Sequence, residues 1–169
     1  TIFISICFGL MIVLYPLTKR FFIGPQIFLG LTFNPTIIVY AMTNELNNPT
    51  MIFLYLAVAA KTIAFDSFYG LCDIEDDKKL GIHSTPLWWG SKTLLIIAIL
   101  QFAVISFLMV VGFKAELSSA WFIGIILLSG FYFYQHRLAS QKNFLLAFKN
   151  NHWASLYLLF LSVFCFLII

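Results

Sequence analysis

Charged residues are scarce in this chain. Asp, Glu, Lys and Arg together make up 10% of its 169 residues, whereas about 25% is usual in a soluble domain. Hydrophobic residues account for 62%, and the mean hydropathy is +0.97. The net charge of +3 is small and spread over connecting segments, so nothing indicates a nucleic-acid partner. This composition excludes an ordinary soluble domain and predicts an all-α, polytopic transmembrane helical bundle.

Cysteine is equally sparse. Cys7, Cys72 and Cys165 are far apart and odd in number, and the three His residues are scattered. Neither set has the spacing of a metal site, and the cysteines form no disulfide framework. Two of the cysteines lie in apolar runs, and we interpret them as buried small hydrophobic side chains.

Long apolar runs, in contrast, fill most of the chain. A spanning helix needs roughly 20 apolar residues, and the sequence contains six such candidates, the first of them short at its start. The connecting segments alternate in charge: one side holds nine of the ten Lys and Arg residues, counting Lys61, and the other holds Lys114. Positive charge marks the cytoplasmic side. The six predicted spans are 1–17, 26–42, 49–65, 93–113, 118–134 and 153–169.

Acidic residues are concentrated in one place. Five of the seven lie between Asp66 and Gly90, directly after an apolar run and on the predicted cytoplasmic side. Asp73 and Asp77 are four residues apart, so a helix would place both carboxylates on one face, with Asp66 seven residues earlier on the same face. Mg²⁺ prefers oxygen ligands and commonly combines one or two carboxylates with substrate phosphates. The pair is therefore suited to a metal-bound diphosphate.

A plainer interpretation of the acidic segment stays open. Its carboxylates are also typical of a solvated loop, offset by Lys78 and Lys79. Lys19 and Arg20, on the same predicted side, are either a positive-inside anchor or groups that bind phosphate and carboxylate. Lys61 either snorkels to the interface or lines a cavity beside the carboxylates.

Polar residues inside the other spans have simpler interpretations. Asn34 and Pro35 interrupt the second span and predict a kink or a cavity contact. Gln101 is interpreted as a helix–helix hydrogen-bond partner rather than a ligand group.

Three elements of the sequence resemble the UbiA-type intramembrane aromatic prenyltransferases. The resemblance covers the whole chain and corresponds to about the C-terminal two-thirds of the family domain. The long composite from Asp66 onward is its most specific part, with His83 standing where a Lys is expected. The three elements are Tyr15-Pro16-x-x-Lys19-Arg20, then Pro25-Gln26-x-x-Leu29-Gly30, then Asp66-x-x-Tyr69-x-x-x-Asp73-x-x-Asp76-Asp77-x-x-x-Gly81-Ile82-x-Ser84-Thr85.

The resemblance implies a fold and a cofactor. The family has nine transmembrane helices around a cavity open to lipid, and two Asp-rich motifs that bind Mg²⁺ and a prenyl diphosphate. Residues 1–169 are then the C-terminal part of one membrane-embedded domain, with Asp73 and Asp77 as the second motif. The first motif and three helices are expected before Thr1. On this basis the 169-residue chain alone is expected to be inactive.

The resemblance also implies roles for individual residues. Lys19, Asp73 and Asp77 are the predicted catalytic residues, and both aspartates are metal ligands through the diphosphate. The predicted substrate-binding residues are Tyr15, Lys19, Arg20, Asp66 and Tyr69, with Arg20 holding the acceptor's carboxylate. Within the composite, the sequence Gly81-Ile82-His83-Ser84-Thr85 favours family members that transfer a polyprenyl group to 4-hydroxybenzoate in ubiquinone biosynthesis. The resemblance implies that such a protein lies in the cell inner membrane.

Other interpretations remain. A relative of the same fold would use another acceptor, such as a naphthoate, haem or a chlorophyll precursor. A non-catalytic truncated remnant or a transporter-like protein belongs to a different class, although a transporter would more often show interrupted helices paired between repeats, which this sequence lacks.

Overall fold

The chain folds entirely into helices joined by short connections. The computed structural model describes residues 2–168, and that range contains no strand, so the predicted all-α class is confirmed. Thr1 and Ile169, the outer ends of the first and last predicted spans, lie outside the described residues. A 3₁₀ turn, Gly90–Lys92, joins α6 to α7. The helices are α1 (Ile2–Phe21), α2 (Pro25–Thr32), α3 (Thr36–Met42), α4 (Pro49–Cys72), α5 (Ile74–Leu80), α6 (Thr85–Trp89), α7 (Thr93–Lys114), α8 (Ser119–Ser140) and α9 (Phe144–Ile168).

Each of the six predicted spans has a helical counterpart, with α2 and α3 together forming the second. α8 also has spanning length, at 22 residues, although polar side chains occupy its last turns. The chain is therefore a multi-pass membrane protein. Among the described residues, four stretches are long and apolar enough to cross a bilayer: Ile2–Phe21, Pro49–Cys72, Thr85–Lys114 and Phe144–Leu167.

The second span is broken at Asn34 and Pro35, as the sequence predicts. The Asn34 side chain closes the break by donating to the Tyr55 carbonyl at 2.8 Å and accepting from the Thr36 N–H at 3.3 Å. The Tyr55 hydroxyl donates to the Leu31 carbonyl at 2.6 Å. Backbone groups freed by a break must be satisfied inside the protein when lipid surrounds it. α4 therefore stabilises the interruption.

α4 is the central helix of the bundle. It packs against α2 and α3 on one side and against α7 and α9 on others, while α8 packs against α7 and α9. Ala57, Ala60 and Ala64 of α4 are buried, and such small side chains let helices approach closely in a membrane. Cys165 is also buried, Cys7 is half-buried and Cys72 is exposed at the end of α4. The central position of α4 brings its Asp66 end close to several neighbouring elements.

Candidate active site at the Asp66 end of helix α4

The acidic segment is two helices rather than one. α4 ends at Cys72 and α5 begins at Ile74, with Asp73 at the junction. The Asp73 carbonyl accepts a hydrogen bond from the Asp77 N–H at 2.8 Å. Asp73 and Asp77 are therefore one helical turn apart, as the spacing predicts, although the chain bends between Asp66 and Asp77.

Two ion pairs divide the carboxylates of this segment into two groups. Both pairs are exposed and join residues three apart on α5. They are Lys78 with Glu75 at 3.1 Å and Lys79 with Asp76 at 3.2 Å. The lysines thus offset two carboxylates, as the solvated-loop interpretation expects, but Asp73 and Asp77 belong to neither pair. These two are the positions that the metal interpretation selects.

Asp77 points into the protein. It is 3% exposed, and its Oδ2 atom is buried without a hydrogen-bond partner among the described residues. The hydroxyl of Ser84 is likewise buried without a hydrogen-bond partner among the described residues. Buried polar atoms are almost always hydrogen-bonded, and an orphaned one needs an explanation such as an ion or a water. A carboxylate oxygen with free acceptor capacity is what a Mg²⁺ ligand offers.

The aspartates lie close to the end of α1. The Tyr15 hydroxyl donates to Asp66 Oδ2 over 3.4 Å, and the charge of Asp77 also acts on Tyr15. Lys19 and Asp73 both interact electrostatically with Asp66, with opposite signs. The structure therefore brings together five of the predicted site residues, contributed by α1, α4 and α5.

A main-chain contact joins α1 to the segment after α5. The His83 N–H donates to the Lys19 carbonyl at 2.8 Å. The turn before it is made by Gly81, whose φ of 64° lies in the left-handed region that glycine adopts easily. This turn brings the chain back from α5 to Lys19.

Hydrogen bonds hold α6 against the site. They are made by Gln26, Ser67 and Thr85, to which the sequence assigned no role. Gln26 Oε1 accepts from the Thr85 N–H at 2.8 Å, and the Thr85 and Ser67 hydroxyls are 2.9 Å apart. Gly70 permits this approach, because a Cβ there would lie 3.0 Å from Pro86 and 3.2 Å from the Gln26 amide nitrogen. Gln26 and Thr85 belong to the family-like motifs, which was the available signal, but only the fold shows that they bind each other.

Two predicted substrate-binding residues lie away from this cluster. Arg20 is exposed at the end of α1. Tyr69 is 41% exposed and packs against Phe148 of α9, with ring centroids 5.2 Å apart. Tyr69 is about one helical turn after Asp66 and contacts α9 rather than α1.

The ligand atoms that the protein offers determine which further ligands a metal ion would need at this site. Within residues 2–168, no group of three or more His, Cys, Asp or Glu side chains is arranged to hold an ion unaided. Asp73 and the orphaned oxygen of Asp77 fit an ion that takes its remaining ligands from water and phosphate, as Mg²⁺ commonly does. The residues present therefore fit Mg²⁺ as a companion of a bound diphosphate.

A second polar cluster crosses the bundle between α7, α8 and α9. Gln101 donates to Gln135 Oε1 at 2.7 Å, and Gln135 donates to Asn150 Oδ1 at 3.3 Å. The His136 ring nitrogen Nε2 is 2.8 Å from Gln101 Oε1. The interpretation of Gln101 as a helix–helix partner is confirmed. The His136 ring also packs edge-on against Phe68 of α4, at 5.9 Å between centroids.

Comparison with known proteins gives one consistent result. Three curated relatives are each named 4-hydroxybenzoate octaprenyltransferase. The one from Alcanivorax borkumensis is 41% identical, over 84% of this chain and 50% of its own length. Those from Marinobacter nauticus and Francisella tularensis subsp. novicida are 36% and 33% identical, over 91% and 96% of this chain and 54% and 59% of their own. The chain thus spans about half to three-fifths of the relatives that it matches.

A solved structure and a family profile agree with these relatives. The apo structure of a UbiA homolog from Aeropyrum pernix K1 superposes with a TM-score of 0.80 at 18% identity, covering 95% of this chain and 62% of that one. At that identity the likeness shows the fold. The profile of the UbiA prenyltransferase family matches residues 1–164. The chain therefore belongs to the UbiA prenyltransferase family.

Proposed function

We propose that this chain carries the second diphosphate-binding half of an enzyme that transfers a polyprenyl group from polyprenyl diphosphate to the ring of 4-hydroxybenzoate. The observation that carries the proposal is the cluster of Tyr15, Lys19, Asp66, Asp73 and Asp77, with its orphaned Asp77 oxygen. The names of the relatives supply the acceptor and the donor class. Such a reaction belongs to ubiquinone biosynthesis.

The cluster has the parts that bind a diphosphate. Asp73 and Asp77 would hold Mg²⁺, which supplies positive charge to the diphosphate oxygens when it is bound. The Lys19 ammonium adds a second positive charge from α1. Tyr15 holds the Asp66 carboxylate by its hydroxyl. Charge that is fixed in place before reaction stabilises a leaving group most effectively.

The chemistry is an electrophilic aromatic substitution. The bond between the allylic carbon and the diphosphate oxygen breaks, and the ring carbon next to the phenol hydroxyl forms a new bond to that allylic carbon. The same ring carbon then gives its proton to the released diphosphate, which restores the aromatic ring, and the protonated diphosphate leaves. Lys19 stabilises the departing negative charge, while the ring faces of Tyr15 and Tyr69 stabilise the positive charge on the allylic group. The apolar surroundings exclude water, which would otherwise capture that group.

The site belongs on the cytoplasmic side of the cell inner membrane. Lys19, Arg20, Lys78, Lys79 and Lys92 lie in the connecting segments at the Asp66 end of α4, whereas Lys114 stands at the opposite end of the bundle. This asymmetry follows the positive-inside rule. A diphosphate made in the cytoplasm, attached to a lipid-soluble chain, would meet the protein at that surface.

An assay of membranes that contain the gene product at its natural length tests the proposal. Prenyl diphosphate, 4-hydroxybenzoate and Mg²⁺ are expected to give a ring-prenylated acid, and chelation of Mg²⁺ is expected to abolish the product. Competition with a dihydroxynaphthoate would identify a family member that uses another acceptor. Absence of transfer to every acceptor would reject the proposal in favour of a non-catalytic protein.

A further inference from the structure

Lys61 is a half-buried cation with no carboxylate partner among the described residues. It lies on α4 eleven residues before Cys72, which places it about 16 Å from that end of the helix. Its ammonium donates to the Ser155 hydroxyl of α9 at 2.7 Å and lies 5.6 Å from the centre of the Phe65 ring. The ion pairs formed by residues 2–168 are those on α5, so Lys61 has no carboxylate there. An ionisable group inside a membrane span usually marks a functional site.

The two partners of Lys61 line one cavity. This cavity, between α4 and α9, has a volume of about 580 Å³, within the range of small-molecule sites. Three of its lining residues are aromatic, two are basic and the others are neutral and polar. The lining residues are Phe65, Phe148, Lys149, Asn151, His152, Trp153 and Ser155. None of them is acidic, so the cavity matches a ligand that combines an aromatic ring with a negative charge.

The cavity adjoins the diphosphate cluster. An α-helix turns 100° per residue, so Lys61, Phe65 and Tyr69 follow one stripe of α4 at intervals of four. Tyr69 and Phe65 both pack against Phe148 of α9, at 5.2 and 5.9 Å between ring centroids. Asp66 stands beside this stripe and faces α1 through Tyr15. A ring held against Phe148 would therefore lie next to the donor site.

We propose that this cavity binds an aromatic carboxylic acid, and that the Lys61 ammonium, positioned by Ser155, binds its carboxylate. The inference rests on the proposed function, for which it supplies the acceptor site. It assigns to Lys61 the contact that the family resemblance assigns to Arg20, because Arg20 is exposed, whereas Lys61 is half-buried, bonded to Ser155 and next to the Phe65 ring.

A binding experiment tests the site without requiring turnover. The gene product at its natural length is placed in nanodiscs of neutral phosphatidylcholine, and 4-hydroxybenzoate binding is measured by calorimetry and by saturation-transfer NMR. Lys61→Met is expected to weaken binding by about 10- to 100-fold, the value of a hydrogen bond to a charged group. The neutral 4-hydroxybenzamide is expected to bind wild type and Lys61→Met equally.

Two further variants serve as controls. Lys114→Met removes an ammonium that also lies over a ring, 5.9 Å from the centre of Phe53, but at the other end of the bundle. It is expected to leave binding unchanged. Lys61→Arg keeps the charge and is expected to retain most of the affinity, which separates a lost ligand contact from a misfolded chain.

Several outcomes would overturn the inference. These are absence of 4-hydroxybenzoate binding to wild type, unchanged binding by Lys61→Met, or a loss confined to Arg20→Met. Displacement of 4-hydroxybenzoate by nanodiscs of anionic phosphatidylglycerol, with loss of lipid binding in Lys61→Met, would assign the site to a lipid headgroup instead. Lys61-dependent binding in a protein that transfers no prenyl group would support this site while rejecting the proposed reaction.

Discussion

The two polar clusters of the bundle differ in whether they are complete. In the cluster between α7, α8 and α9, the amide groups of Gln101 and Gln135 bind each other and their neighbours, although the Tyr132 hydroxyl, earlier on α8, is buried without a partner among the described residues. In the cluster at the Asp66 end of α4, Asp77 Oδ2 and Ser84 Oγ have no partner within the described residues. The fold alone satisfies the amides of the first cluster, whereas the second keeps free hydrogen-bonding capacity for the diphosphate and Mg²⁺ that we propose it binds.

This difference separates stability from function. A buried polar network that satisfies itself fixes the arrangement of its helices. A buried group that stays unsatisfied costs free energy, and at Asp77 a bound ion or diphosphate would offset that cost. Substitutions in the first cluster should therefore change the free energy of unfolding, and substitutions in the second should change ligand binding and turnover.

The largest effect is expected from Asp73→Asn combined with Asp77→Asn. The exchange keeps shape but removes both charges that would hold Mg²⁺, so prenyl transfer by the natural-length gene product should fall by roughly 10³-fold or more. Turnover at several Mg²⁺ concentrations measures it. The unfolding midpoint should not fall, because neither carboxylate belongs to an ion pair and the buried charge of Asp77 is unpaired in the folded protein. Full turnover in this variant would remove the metal role.

The next effect tests the complete cluster. Gln101→Leu should destabilise the bundle by about 1–2 kcal/mol, since His136 and Gln135 each lose a partner inside the membrane. Unfolding in a denaturing detergent series reports this change. Ser106→Ala is the matched control, because the Ser106 hydroxyl donates only to the Phe102 carbonyl of the same helix, at 3.0 Å. A change in diphosphate affinity without a change in the free energy of unfolding would contradict the assignment of this cluster to stability rather than to ligand binding.

A smaller effect is expected from Tyr15→Phe. The hydroxyl is 3.4 Å from Asp66, a long hydrogen bond, so its loss should reduce turnover by about tenfold or less. The change should appear at low donor concentration if Tyr15 positions Asp66 for the diphosphate. Tyr134→Phe, at an exposed position on α8, supplies the comparison. A loss as large as that of the aspartate pair would show that the ring's hydroxyl does more than orient a neighbour.

The smallest effect is expected from Glu75→Gln combined with Asp76→Asn. These two carboxylates lie in exposed pairs with lysines, and such pairs contribute at most about 1 kcal/mol each. Turnover should stay within about twofold of wild type, and the free energy of unfolding should fall by at most about 1 kcal/mol for each pair. A strong loss of turnover would mean that the whole acidic segment, rather than the unpaired aspartates, binds the donor.

The sequence predicts the architecture well because a helix satisfies its own backbone hydrogen bonds, as a segment within lipid must. Each of the six apolar runs has a helical counterpart, four of which lie in stretches apolar and long enough to cross a bilayer. Asn34 with Pro35 marks the break, since proline has no N–H to donate to the helix. Gln101 was predictable for a similar reason: a polar amide deep in a bundle needs a partner. Both predictions depend only on the local sequence, and the structure agrees with both.

The site was only partly predictable, because its details depend on contacts between distant segments. The four-residue spacing selects Asp73 and Asp77 as a pair. It does not show that the neighbouring Asp76 is held by Lys79, which is visible only in the structure of α5. The bond between Gln26 and Thr85 joins residues 59 positions apart. No helical periodicity reports such a contact, nor does it show that Tyr69 turns toward α9.

The main-chain bond from His83 to the Lys19 carbonyl has an evolutionary consequence. A contact made by backbone atoms places no demand on the side chain, so that position is free to drift. Histidine in place of the lysine expected there leaves the junction between α1 and the acidic segment intact. Variation at residue 83 across relatives should therefore report ancestry rather than substrate choice, whereas any proline there would be eliminated by selection, because it has no N–H to donate.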